Sequence, residues 1–167
     1  GNLMARFGLR GFASQHGDGY SAGPGPQLMD LGALGKALPL ICYEAVFPQD
    51  VGGAEERPAM LLQITNDAWF GNFSGPYQHL AQARMRAIEQ GLPMVRAANT
   101  GVSAMIDPLG RITAAVPLNQ PGAVTAALPA PLVPTVYART GDWPVFLLAL
   151  FMTAVMVLLQ MRLRRAN

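Results

Sequence analysis

The sequence holds one cysteine, one lysine and two histidines among its 167 residues. A single cysteine permits no internal disulfide, and two distant histidines beside it give no zinc-ligand spacing, so neither a disulfide scaffold nor a metal site is expected. Charge is scarce too, at 13% of residues. Three of the twelve Lys and Arg fall in the last six residues, and the remaining nine face ten Asp and Glu, a formal charge of −1. The body of the chain therefore has no electrostatic case for nucleic acid as a partner.

What the chain has instead is apolarity, 51% of its residues. Much of it lies in "WPVFLLALFMTAVMVLLQM", Trp143–Met161, which is 19 residues without a charge. As a helix these would extend about 28 Å, close to the ~30 Å hydrocarbon thickness of a bilayer. "RLRRAN" follows, carrying Arg162, Arg164 and Arg165. That excess of arginine predicts a cytoplasmic C-terminal tail, residues 162–167, with everything before Trp143 on the extracytoplasmic side of the membrane. Tyr137 and Trp143 fall where interfacial aromatics sit.

Residues 1–35 are glycine-rich and read as loop, with one short helix near Leu3–Leu9. Leu38–Tyr43 and "RPAMLLQITND" are short continuous apolar runs that suit buried strands, joined by a polar connection with room for a short helix. "SGPYQHLAQARMRAIEQGLP" predicts an amphipathic helix. Ser74 stands where a cap is wanted, Pro76 in the first turn, and Gly91 with Pro93 at the stop. Leu80, Ala83, Ala87 and Ile88 make its apolar face, with Gln82, Arg86, Glu89 and Gln90 opposite. "PMVRAA", "GVSAMI" and "RITAAV" read as strands, the last two joined by a turn at Asp107–Gly110. "GAVTAAL" reads as one further strand before a proline-rich connector. Strands interleaved with an amphipathic helix predict a layered α/β domain, in which functional groups gather at strand C-terminal ends. Cys42 and the Asn66-Asp67 pair both fall there.

Cysteine catalysis needs a thiolate, a proton acceptor and donors for the developing oxyanion. Cys42 is the candidate nucleophile. The backbone N–H groups of Tyr43 and Glu44 are candidate oxyanion donors if the chain turns sharply after the strand. The Glu44 carboxylate would disfavour a thiolate, so a cation is wanted nearby. Lys36 precedes the strand, and His16 has no supporting context. His79 reads as a surface or edge residue of its helix, in a structural or solvated role, and a Ser74/His79/Asp67 triad is composition without geometry. "TNDAWFGNFSGP", with Asn66 and Trp69, is loop chemistry after a strand.

"ICYEAVFP", "LLQITNDAWFG", "QHLAQARMRAIEQGLPMVRAANTGVSAMIDPLGRI" and "YARTGDWP" before a membrane span, in this order, resemble the C-terminal part of the apolipoprotein N-acyltransferase family. Those bacterial inner-membrane enzymes belong to the nitrilase, or carbon–nitrogen hydrolase, superfamily. The resemblance implies that residues 1–142 are the C-terminal part of a periplasmic nitrilase-like α-β-β-α sandwich. Residues 143–161 would be a transmembrane helix beside a multi-helix membrane domain. It implies a Glu-Lys-Cys triad with Cys42 as nucleophile, Tyr43 and Glu44 in and around the acyl site, and Asn66 and Trp69 in the adjoining loop. It implies no cofactor. The partners implied are a phospholipid acyl donor, a diacylglyceryl-modified apolipoprotein and the membrane. The acyl group would pass through a Cys42 thioester to the N-terminal amine. The family's Glu and Lys lie in "GE"- and "K-x-H-L-V-P"-like motifs absent from this chain, and Lys36 lacks their context. The chain is therefore expected to be a fragment, inactive alone. A membrane-tethered amidase of the same superfamily and a non-catalytic membrane-anchored binding domain stay open as alternatives.

The charge asymmetry is directly testable. A reporter fused after Asn167 is expected to be active only where it requires the cytoplasm, and activity of a periplasm-dependent reporter at that position would reverse the orientation.

Overall fold

In the computed structural model, which describes residues 23–166, the short apolar runs become the middle of one sheet. The run before the cysteine forms β2 (Lys36–Ile41), the run before Asp67 forms β3 (Met60–Asn66), and "MVRAAN" forms β4 (Met94–Asn99). β2 pairs with β3 and β3 with β4 in parallel, so each pair needs a crossover. A 3₁₀ turn at Cys42–Val46 and the short helix α1 (Pro48–Val51) occupy the first, and the long helix α2 (Gly75–Gln90) the second. β5 (Ser103–Ile106) and β6 (Ile112–Val116) add antiparallel strands on one side, and β1 (Met29–Asp30) adds one on the other. Among the described residues the sheet order is β1-β2-β3-β4-β5-β6.

One sheet face packs against α2. Leu38, Leu40, Leu61, Met94, Ala104 and Ile106 form a buried cluster with Leu80, Ala83 and Ala87. On the opposite face the paired residues Ile41 and Ile64 are both about half exposed. Of the expected four-layer sandwich, the described residues thus form one sheet layer and the helix over it.

α2 begins and ends where its sequence indicates, but its faces differ from the expected ones. Ser74 occupies the cap position without a capping hydrogen bond from its side chain. The buried stripe is Pro76, His79, Leu80, Ala83, Arg86, Ala87 and Gln90, while Ile88 is exposed. Arg86 tolerates burial because it donates to the Val46 carbonyl at 3.0 Å and to Glu89 at 2.7 Å. Burial pushes the Glu89 carboxyl above its ordinary value, with Arg86 pulling it back.

β2 ends at Ile41, two residues short of the expected Tyr43, because Cys42 leaves the extended conformation. "GAVTAAL" forms no strand: residues 121–135 are irregular, and β6 remains an edge. Its alanine-rich side chains bring little apolar area to hold another strand, since β preference is mostly packing against neighbours. The connector is pinned elsewhere. Leu132 N–H donates to the Gly91 carbonyl, and Arg57 donates to the Leu132 carbonyl, both at 2.9 Å.

Thr135 then caps the short helix α3 (Val136–Thr140), accepting from Ala138 N–H at 2.9 Å. The final helix α4 (Trp143–Ala166) contains a 22-residue candidate span, Trp143–Arg164, whose most apolar 18-residue window has a mean hydropathy of 2.3 and is not buried against the rest of the chain. It is long and apolar enough to cross a membrane. The helix expected near Leu3–Leu9, and His16, lie outside the described residues.

Gly91 ends α2 in the left-handed conformation, φ +62°, and a Cβ there would lie 3.2 Å from the Val133 carbonyl oxygen. Gly91→Ala is expected to destabilise the protein by about 1–3 kcal/mol, measured by denaturant titration. No loss would mean that this junction relaxes freely.

Candidate active site

The C-terminal ends of the parallel strands bring the sequence-singled residues together. Cys42 follows β2, Asn66 closes β3, and Asn99 closes β4 opposite Asn66. Cys42 adopts φ +52°, a left-handed conformation that costs an L-residue about 1–2 kcal/mol. This is the sharp turn that the oxyanion reading required: the strand stops and a 3₁₀ turn begins at the thiol itself. Cys42 is partly exposed.

Glu44 reaches back, and its Oε2 accepts from the Ile41 N–H at 2.6 Å, bracing the turn. Tyr43 is half exposed and stacks edge-on with Phe47, with centroids 6.0 Å apart, and lies against Phe70 and His79 at 6.3 and 6.0 Å. Asn66 Oδ1 caps the 3₁₀ turn at Asp67–Phe70, accepting from Ala68 N–H and from Asn99, each at 3.2 Å. Trp69 in that turn is 80% exposed. Lys36 stands at the far end of β2 and pairs with Glu56 at 2.6 Å, which raises its pKa. It is not placed to serve Cys42.

Beneath the turn lies a polar network buried in an otherwise apolar core: Gln63, Asp67, His79 and Arg96. The strands dictate it. Alternation puts Leu61, Gln63 and Thr65 on the α2-facing side of β3, and Met94 and Arg96 on that side of β4, with Gln63 and Arg96 in register. His79 enters from α2. This corrects the surface or edge position expected for it, because helical apolarity alone does not reveal a polar residue whose partners come from distant strands.

The hydrogen-bond inventory fixes every orientation in this network. Asp67 Oδ2 accepts from Arg96 at 2.5 Å, and its Oδ1 accepts from Thr65 at 3.1 Å. The same Oδ1 lies 2.8 Å from His79 Nδ1, so Nδ1 carries the proton and Nε2 is an acceptor. Arg96 has only donors, so Gln63 turns its oxygen toward Arg96 and its NH₂ away from it. One N–H of that NH₂ donates to His79 Nε2 at 3.2 Å and the other to the Cys42 carbonyl at 3.1 Å. The Asp67/His79 pair therefore forms, but with Gln63 beyond it rather than Ser74. Burial pushes the Arg96 guanidinium below its ordinary value, opposed by its ion pair with Asp67. Gln63 and Arg96 were legible only as polar residues at inward positions of apolar strands.

The profile of the family described as Carbon-nitrogen hydrolase matches residues 16–137. Proteins named apolipoprotein N-acyltransferase from Rhodopseudomonas palustris and Bradyrhizobium diazoefficiens are each 50% identical, over 163 and 166 residues. These matches take in 98% and 99% of this chain but 30% of each relative, so the chain spans under a third of the length of the curated relatives it matches. Among solved structures, a CN-hydrolase superfamily protein from Xanthomonas campestris with an arsenic adduct in its active site aligns at TM-score 0.50 and 24% identity. That alignment covers 60% of this chain and 43% of that one. A mutant amidase from Nesterenkonia sp. AN1, with acrylamide added to its active-site cysteine, aligns at TM-score 0.53 and 18% identity over 77% and 50%. At such identities the likeness is one of fold.

Asp67→Asn puts an amide where Arg96 has its counter-ion and leaves a buried guanidinium uncompensated. A loss of about 3–5 kcal/mol is expected in denaturant titrations. A loss below about 1 kcal/mol would mean that the network does not hold the core.

Proposed function

Because the chain belongs to the carbon–nitrogen hydrolase family, we propose that it forms the cysteine-bearing part of a membrane acyltransferase. Its reaction is N-acylation of the N-terminal diacylglyceryl-cysteine of apolipoproteins, with a phospholipid as acyl donor. One observation carries the reading: the partly exposed Cys42 sits in a left-handed turn at the end of a parallel strand. The names of the two 50%-identical relatives support the acceptor. α4, long and apolar enough to span a bilayer, supports a site beside the lipid donor, on the periplasmic side if the arginine-rich tail is cytoplasmic.

In the first half-reaction the Cys42 thiol gives its proton to the triad's Glu, base first and general acid afterwards, as its sulfur attacks a phospholipid ester carbonyl. The backbone N–H groups of Tyr43 and Glu44 stabilise the oxyanion, which collapses to a thioester as the lysophospholipid leaves with a proton from the general acid. In the second, the α-amine of the lipoprotein attacks the thioester and gives a proton to the same group. An amide forms, and that group returns the proton to the departing Cys42 sulfur, which regenerates the thiol. The thioester conserves acyl energy for an amine that would not displace an ester readily. We assign Tyr43, Trp69 and Asn66 to lining the path of the acyl chain and head groups.

Glu44 is committed to the Ile41 N–H and Lys36 to Glu56, so neither is the triad's base or cation. We assign those roles to a Glu and a Lys outside the described residues. This leaves the 167-residue chain without acyl transfer when isolated.

The test uses the whole encoded protein in detergent with phospholipid. Cys42→Ala is expected to remove the covalent acyl adduct seen by mass spectrometry. Cys42→Ser is expected to lower turnover at least 100-fold, because a serine hydroxyl ionises far less readily than a thiol and is a far weaker nucleophile. Persistence of the adduct in Cys42→Ala would overturn the assignment.

A further inference from the structure

Cys42 is one of three residues other than glycine at positive φ among the described residues, with Thr100 and Asn119. Something must hold it there, because the extended conformation would simply continue β2. Two contacts address the turn. Glu44 ties the Ile41 N–H from the outer side, through an exposed carboxylate. Gln63 ties the Cys42 carbonyl from inside, through an amide with no exposed surface.

The inner contact has only one way to form. Gln63 sits across from Leu40 on β2 and from Arg96 on β4, so its side chain rises between the strand that carries the thiol and the one that carries the guanidinium. Arg96 takes the amide oxygen, and Asp67 sets the His79 tautomer so that Nε2 takes one amide hydrogen. The remaining hydrogen points at Cys42. Reversing the amide would set NH₂ against a guanidinium and leave His79 Nε2 and the Cys42 carbonyl without a donor.

Resting on the reading of Cys42 as nucleophile, we infer that Gln63 is the positioning residue of the site. Its amide, oriented by Arg96 and His79, holds the Cys42 carbonyl and keeps the cysteine in the left-handed turn that presents thiol and following N–H groups together. Gln63 touches no substrate and acts through Cys42. Asp67, Arg96 and His79 act one step further out, by orienting Gln63.

Two variants in the whole encoded protein separate this role from mere core support. Gln63→Met removes every polar contact of the side chain. Gln63→Glu keeps an oxygen for Arg96 and removes the amide donor. Both are expected to slow acyl-adduct formation at Cys42 by 10- to 100-fold with the phospholipid KM within about two-fold, since a displacement of the order of 1 Å at a nucleophile costs up to about 100-fold. A stability cycle reads the tether independently of catalysis. Glycine adopts positive φ without help, so the Tm loss caused by Gln63→Met is expected to fall by half or more when Cys42 is replaced by Gly. Adduct formation within three-fold of the parent in a folded Gln63→Glu protein would overturn the proposal. So would an equal Tm loss in the Cys42 and Cys42→Gly backgrounds. If Gln63→Met does not fold, the Glu variant is carried through the same cycle. If the parent itself forms no adduct, the nucleophile reading falls and the stability cycle alone decides the role of Gln63.

Discussion

The Asp67 carboxylate has no exposed surface, and it can sit in this core only because Arg96, His79 and Thr65 all donate to it. That constraint reaches well beyond the ion pair. It brings Arg96 inward on β4, commits the proton of His79 to Nδ1, and so sets the direction of the Gln63 amide between them. A buried pair of this kind is weak as net stabilisation, because desolvation opposes the attraction. Its effect here is directional: four side chains from two strands, a 3₁₀ turn and a helix have one mutually satisfied arrangement, and that arrangement ends on the carbonyl of the lone cysteine.

The contrast with the outer rim of the site is physical. Trp69 is 80% exposed and Phe73 87%, and Tyr77 stands half exposed at the start of α2, so the surface around the strand ends is aromatic and open while the layer below is polar and closed. Rigid support below an open rim suits the proposed acyl transfer, in which the nucleophile must be fixed while a long apolar chain adapts its path. The same sheet leaves Ile41 and Ile64 uncovered on its other face, and α4 projects an apolar surface that no part of the described chain covers.

Much of this was legible in the sequence. The strand–helix–strand order, the turn at Asp107–Gly110, the stop at Gly91 and the placing of Cys42 and Asn66 at strand ends all follow from apolar runs and turn residues. The polar layer was not, for a definite reason. Periodicity treats Arg86, Gln90 and His79 as outward because they are polar, whereas burial depends on partners that come from elsewhere in the chain. Gln63 and Arg96 carried a faint signal as polar residues on the inward beat of apolar strands. Nothing local indicates that one would orient the other. The left-handed turn at Cys42 was equally silent, since no glycine or asparagine marks it. "GAVTAAL" shows the converse failure, a strand-like composition too poor in apolar area to hold a place beside the open edge of β6.

In the proposed reaction Cys42 carries an acyl group between a lipid and an amine. The most direct measurement is a pulse and chase on the whole encoded protein, using phospholipid with a labelled acyl chain followed by a diacylglyceryl-cysteine peptide. The account predicts hydroxylamine-sensitive label on the Cys42 peptide during the pulse and its transfer to the peptide amine in the chase. Label that reaches the amine without ever residing on Cys42, or that leaves Cys42 only as free fatty acid, would contradict it.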